Sequence, residues 1–234
     1  LKIQVKELFK KYKDLQVISN LNMDFSSDRI HCIFGPSGCG KTIFVNILTG
    51  LVDADEGWVE GLEGKSFSYI FQEDRLIPWA TVEENMLFVL ESHYSKSEAR
   101  QLAGEYLSLV NLLKFKNSYP EQLSGGMKQR AAIARAFAYG GDIVVMDEPF
   151  KGLDLELKKG LMDYIINDWN HKNRFFFFIT HDVDEALYIA DDIHVFQGLP
   201  LTLKKQITIE IPSCDRGKYR NEMGRYKDLL LGDF

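Results

Sequence analysis

No apolar run in this chain approaches the roughly 18 residues that a bilayer-spanning helix needs, and no charged-then-apolar leader opens it. Those two absences argue against membrane-spanning and secreted classes. Cysteine is scarce as well. The three present, Cys32, Cys39 and Cys214, are an odd number without paired spacing, which points to a reducing compartment, no disulfide frame and no cysteine metal site. Positive charge is not in excess: 28 Lys and Arg stand against 34 Asp and Glu, a net charge of −6. Domains that bind nucleic acid usually carry a basic face, so nucleic acid is not expected as a partner. Internal repeats and low-complexity linkers are missing too. What remains is 234 residues, 45% hydrophobic and 26% charged, an ordinary globular composition with ample chain for a buried core. The sequence begins at Leu1 rather than Met, so a few N-terminal residues are expected to be missing.

The opening stretches "KIQVKELF" and "LNMDF" alternate apolar and polar residues. That period of two predicts half-solvated, antiparallel strands. Four later runs are short and apolar throughout: "IHCIF" (30–34), "FSYIF" (67–71), "IVVM" (143–146) and "FFFFI" (175–179). They read as parallel strands covered on both faces, being too short and too rich in β-branched and aromatic residues for buried helices. "FFFFI" is read as core rather than as an aromatic binding surface. Each run ends at a polar or glycine-rich element: "GPSGCGKT", Gln72, Asp147-Glu148 and Thr180-His181. In open α/β sheets ligands bind beyond the carboxyl ends of the strands, so one sheet edge is expected to carry the chemistry. Between Thr81 and Tyr119 the pattern is helical. A short helix is expected in "VDEALYIADD" (183–192), a last strand in "QITIEIP" (206–212), and a charged helical tail over 215–231.

"GPSGCGKT" (35–42) fits G-x-x-x-x-G-K-[ST], after a predicted strand and before the helical "IFVNILTGL", the context the motif requires. Its glycines let the backbone wrap close to phosphates, Lys41 offers a point charge, and the Thr42 hydroxyl can ligate Mg²⁺. A second glycine pair in "EQLSGGMKQRAAIARA" (121–136) opens onto another helix, where outward N–H groups and the helix dipole favour an anion. In "IVVMDEP" four apolar residues deliver two carboxylates to a strand end. Asp147 is placed to hold Mg²⁺ and Glu148 to orient or deprotonate an attacking water. Gln72 and His181 are weak signals singly and gain weight from standing at the ends of two other core strands.

The ordered set of phosphate loop, Gln72, "LSGGM" (123–127), "VVMDEP" (144–149), "GLD" (152–154) and His181 resembles the nucleotide-binding subunit of an ATP-binding cassette (ABC) transporter, over nearly the whole chain. The resemblance implies an α/β protein: a P-loop NTPase core with a mainly parallel sheet, an N-terminal antiparallel β subdomain and an inserted helical subdomain. Residues 1–234 would form a single ABC ATPase domain, with 1–80 and 120–212 as core and β subdomain, 81–119 as helical subdomain and 213–234 as a C-terminal tail. No substantial regulatory domain is expected after His181. ATP would be held by Tyr12, stacked on adenine, by Val17 nearby, and by Gly35, Pro36, Ser37, Gly38, Cys39, Gly40, Lys41, Thr42 and Ile43. Thr42, Gln72 and Asp147 would hold Mg²⁺. Glu148 would be the general base, with Gln72 and His181 sensing the γ-phosphate. Ser124, Gly125 and Gly126 would grip ATP bound to a second copy of the chain, and Asp154 would lie in a loop crossing between the copies.

The pattern is departed from at Ile43, where a second hydroxyl residue is common, and at Lys151-Gly152, which adds a charge near the implied dimer interface. Neither deletes a catalytic element, so an active ATPase is expected. "FQEDRLIPWATVEEN" (71–85) lies where the family contacts its membrane subunits. Its Pro78-Trp79 pair, with the methionine after "LSGG", resembles importers of nitrate, sulfonates, taurine and related solutes. The implied partners are membrane-spanning permease subunits, a second ATPase subunit and, indirectly, a solute-binding protein. The implied location is the cytoplasmic face of the membrane. A soluble ABC-type ATPase of DNA repair or translation is the alternative; it typically carries coiled-coil insertions, zinc modules or a second cassette, none of which is present. A GTP-dependent switch protein would need an N-K-x-D guanine motif, also absent.

Overall fold

The computed structural model describes residues 2–172 and 174–232; the expected tail runs past them at residues 233 and 234. In chain order the elements are β1 (Lys2–Tyr12), β2 (Leu15–Ser26), β3 (Ile30–Phe34), α1 (Lys41–Leu48), β4 (Glu56–Glu60) and β5 (Phe67–Ile70). There follow α2 (Val82–Leu90), α3 (Lys96–Leu109), α4 (Gly125–Tyr139), β6 (Ile143–Asp147) and α5 (Leu155–Lys172). The chain ends in β7 (Phe175–Thr180), α6 (Val183–Ile189), β8 (Asp192–Gln197), β9 (Thr202–Thr208) and α7 (Arg220–Leu231). They form two compact units, Leu1–Lys65 with Ile165–Phe234, and Ser66–Tyr164.

In the first unit β1 pairs antiparallel with both β2 and β4. Alternation is visible in β2, where Leu21, Met23 and Phe25 are buried and Asn22 and Asp24 are exposed. A separate group of strands places β3 between β7 and β8, parallel to both, with β9 antiparallel on β8. All residues of β3 and β7 are buried, the state that a continuous apolar run allows and an alternating one does not. Rings fill the space against this layer: Phe25 meets Phe177 edge-on at 5.0 Å and Phe44 of α1 lies 5.8 Å from Phe196. Two histidines share the core, His31 on β3 and His194 on β8, each 1% exposed. Burial holds the His31 ring below its ordinary pKa. The same effect, reinforced by neighbouring His31, takes His194 down to about 3.

The second unit pairs β5 and β6 in parallel beside α2, α3 and α4. Capping boxes start two of its helices, Thr81 with Glu84 and Ser95 with Glu98, each worth about 1 kcal/mol. Ala99, Ala103 and Leu107 make one fully buried face of α3. That helix stops at Leu109, within the stretch expected to be helical: Asn111 takes a left-handed φ of 57°, which asparagine tolerates at helix ends. Asn85 is 1% exposed and pins the preceding loop. Its Oδ1 accepts from Ile77 N (2.8 Å) and Arg135 Nη1 (3.3 Å). Its amide nitrogen lies 3.0–3.2 Å from the carbonyls of Ile77, Ala80 and Thr81.

Two strands escaped the pattern reading. β4 alternates without a single buried residue, so apolar periodicity had nothing to register. β8 is buried over five of six residues, but Asp192 and His194 interrupt its apolar run. The helix expected over 183–192 stops at Ile189. The last strand lies at Thr202–Thr208, four residues before the expected 206–212, and the tail helix begins at Arg220, five residues after the expected 215.

Replacing Asn85 by Leu, similar in volume but without polar atoms, leaves the Ile77 amide and the Arg135 guanidinium short of an acceptor. The expected loss is roughly 1–3 kcal/mol, read as a lower urea midpoint, with faster hydrogen exchange at Ile77.

Candidate functional site

Strand β3 runs straight into the loop 35–42. Gly35 is required there by proximity, since a Cβ would stand 2.5 Å from the carbonyl oxygen of Phe196 on β8. Gly40, at φ 105°, is the N-cap of α1; only glycine reaches that conformation without strain. Pro36, Ser37, Gly38 and Thr42 are exposed, Gly40 and Ile43 half-buried, and Cys39 buried beneath them. Lys41 is 6% exposed and its ammonium donates to Gly35 O at 2.8 Å and Pro36 O at 2.7 Å. The cation is thus drawn back across the loop's own carbonyls, with donor capacity left for an oxyanion. The exposed start of α1 and its N–H groups form a cradle suited to phosphate.

Val17 backs this loop. It is 2% exposed, its carbonyl accepts from Leu201 N at 2.7 Å, and its Cγ1 stands 3.0 Å from where a Gly40 Cβ would lie. Tyr12, at the end of β1, is 45% exposed and carries the Lys10 ammonium 5.3 Å from its ring centroid, an aromatic surface open to stacking. Phe34 and Thr180 are register partners on β3 and β7. Gly35 and His181 are therefore the next residues on neighbouring parallel strands, and His181 is exposed there.

The second unit repeats the arrangement. Ile70 and Met146 are partners on β5 and β6, so Gln72, exposed, and Asp147, 3% exposed, leave the same edge. Burial, and Asp147 after it, push the Tyr69 phenol well above its ordinary pKa. Glu148 follows in a left-handed conformation, φ 47°, an uncommon state for a non-glycine residue that marks functional turns. Lys151 Nζ lies 3.8 Å from Glu148 Oε2, so the charge noted in the sequence faces this carboxylate.

Ser124 caps α4, its hydroxyl accepting from Met127 N at 3.3 Å, and Gly125 and Gly126 form the first turn. The loop after β6 lies against that turn: a Cβ on Gly126 would sit 3.1 Å from Gly152 O. Farther along α4, Gln129 donates to Pro149 O at 3.2 Å. Asp154 starts α5, accepting from Leu157 N at 3.0 Å through Oδ1. Sequence reasoning missed Gln129; the signal was a glutamine among alanines on a face that turned out to be buried. Trp79, on the segment 71–85 expected to meet membrane subunits, is 81% exposed, and Phe88 beyond it on α2 is 72% exposed.

The ABC transporter family model matches residues 18–151. The aliphatic sulfonates import ATP-binding protein SsuB of Bacillus cereus is 36% identical over 234 residues, 96% of this chain and 91% of that protein. The nitrate import ATP-binding protein NrtD of Synechocystis is 36% identical across 83% of this chain and 76% of its own length. Among solved structures, the ATP-binding cassette MJ0796, a dimer in a post-hydrolysis state bound to ADP and Pi, superposes with a TM-score of 0.81. It is 27% identical, covering 89% of this chain and 99% of its own. The expected P-loop NTPase fold, with mostly parallel strands and an antiparallel N-terminal sheet, is the fold of that cassette.

Gly35→Ala should weaken ATP binding by about 5- to 150-fold, since relieving a backbone overlap costs about 1–3 kcal/mol. Equilibrium titration with a fluorescent ATP analogue reads this, with circular dichroism confirming that the fold is kept.

Proposed function

The chain belongs to the ABC transporter family, and from that premise we propose that it is the ATP-hydrolysing subunit of an importer for a small anion or organic solute of the nitrate, sulfonate or taurine kind. The observation that carries this reading is the phosphate loop, with Lys41 held at its rim and the N-terminus of α1 behind it. Nearly full-length similarity to import ATP-binding proteins favours transport over repair or translation. Among the described residues no helix is long and apolar enough to cross a membrane. In this reading the subunit sits on the cytoplasmic face of the membrane, held by permease subunits at the exposed Trp79 segment, with a solute-binding protein acting through them. Residues 1–234 act as one catalytic domain with a helical subdomain at 81–119 and a tail at 213–234.

ATP binds on Gly35–Ile43 with Tyr12 against the adenine. The Thr42 hydroxyl, the Gln72 amide oxygen and the Asp147 carboxylate are the hard oxygen donors that Mg²⁺ takes. When bound, that ion neutralises charge on the outer phosphates. Glu148 accepts the proton of the attacking water, while Gln72 and His181 respond to the γ-phosphate. Ser124, Gly125 and Gly126 hold the ATP of a second copy, and Asp154 lies in the loop between the copies. Energy from phosphate contacts goes into closing that pair, and loss of the γ-phosphate releases it.

The test is Glu148→Gln. Steady-state hydrolysis should fall by about 10²-fold or more while ATP affinity stays close to wild type, and chelating Mg²⁺ should stop turnover in the unmodified chain. Undiminished hydrolysis by Glu148→Gln would overturn the assignment of the base.

A further inference from the structure

One polar cluster in the first unit takes no part in this chemistry. Among the described residues, His31, Asp192 and His194 are the group whose ligating atoms lie close enough to share a cation, and all three are buried. They come together through strand register. His31 on β3 is the direct partner of Asp192 on β8, and His194 follows two residues on, so the three side chains share one face of the sheet. The His31 Nδ1 and His194 Nε2 atoms stand 3.2 Å apart. Two nitrogens on one tetrahedral zinc ion, at ordinary Zn–N bond lengths, lie about 3.3 Å apart. Asp192 Oδ2 is 3.8 Å from His31 Nδ1.

The surroundings orient these donors. His31 Nε2 lies 2.8 Å from Ser26 O and 3.2 Å from Ser26 N; in the tautomer that donates to the carbonyl, the lone pair of Nδ1 faces His194. Asp192 accepts from the Thr208 hydroxyl at 2.7 Å through Oδ1, and Arg29 Nη1 lies 3.6 Å from the same oxygen. The other oxygen is left toward the histidines. A carbonyl fixing the imidazole tautomer and hydrogen bonds fixing the carboxylate are the outer-shell pattern of metal sites. His194 Nδ1 is buried without a hydrogen-bond partner among the described residues.

We propose that His31, Asp192 and His194 form a buried site for one divalent cation of the zinc type, fastening β3, which carries the phosphate loop, to β8. Two imidazoles and one carboxylate suit zinc; Mg²⁺ and Ca²⁺ prefer all-oxygen shells. A ligating imidazole is neutral, so with the metal on Nε2 the His194 proton would be carried by Nδ1. Phe25 lies edge-on to both rings, at 5.1 Å from His31 and 5.0 Å from His194, and closes the site to solvent, so the ion enters as the chain folds. The proposal is independent of the ATPase reading.

The test uses the full chain expressed in minimal medium with Zn²⁺ or Co²⁺, without a metal-binding tag, then dialysed against a chelator to strip exposed ions. Elemental analysis should find about one metal per chain, and the cobalt form should show visible absorption bands. His194→Val should lose both signals. Wild-type content below about 0.1 per chain, or equal content in wild type and variant, overturns the site. Retention of copper alone overturns the zinc assignment. Should the variant not fold, X-ray absorption of the zinc form decides: two imidazoles with an oxygen donor sustain the proposal, and any other shell overturns it.

Discussion

Strand β3 is covered on both faces, so the phosphate-binding chemistry falls where the strand ends. The fit there is close: the backbone leaves β3 so close to the Phe196 carbonyl that only glycine fits at position 35. Val17 backs the loop at Gly40 in the same way. The ammonium of Lys41 then spans the mouth by bonding to the loop's own carbonyls. A cradle fixed this firmly before ligand arrives spends little ordering entropy on binding, which is the advantage of preorganisation. The rings of Phe25, Phe44, Phe177 and Phe196 keep the strand in place behind it.

The second unit meets a different constraint, because its working parts lie on loops. Buried side-chain amides supply the rigidity that strands supply elsewhere. Asn85 gathers the backbone of Ile77, Ala80 and Thr81 around one side chain, which sets the exposed Trp79 on a fixed turn. Gln129 ties the helix that begins at the glycine pair to Pro149, just beyond Asp147 and Glu148. Fully bonded buried amides are stiff for the reason that unmet ones are costly.

Motifs and apolar runs were the legible part of this molecule. "IHCIF", "IVVM" and "FFFFI" appear as buried strands within a residue of where the pattern placed them, because continuous apolar runs leave few other solutions. The phosphate loop was legible for the same reason, its glycines being dictated by backbone geometry. What escaped were residues whose meaning depends on a distant partner. β8 was hidden by Asp192 and His194, polar residues that are acceptable in a core only because His31 and Thr208 face them. Val17, expected near the nucleotide, is buried against Gly40 of the phosphate loop. Gln129 and Asn85 are ordinary polar letters until the fold buries them.

The central claim is that "LSGG" serves a nucleotide held by another copy of the chain. Sedimentation velocity of Glu148→Gln with and without Mg-ATP tests it most directly, beside the same protein carrying Ser124→Arg. A shift from monomer to dimer with ATP, abolished by the arginine while ATP still binds, is the result this account predicts. Dimerisation that the arginine leaves intact, or saturation with ATP and no dimer even with the permease subunits present, would contradict it.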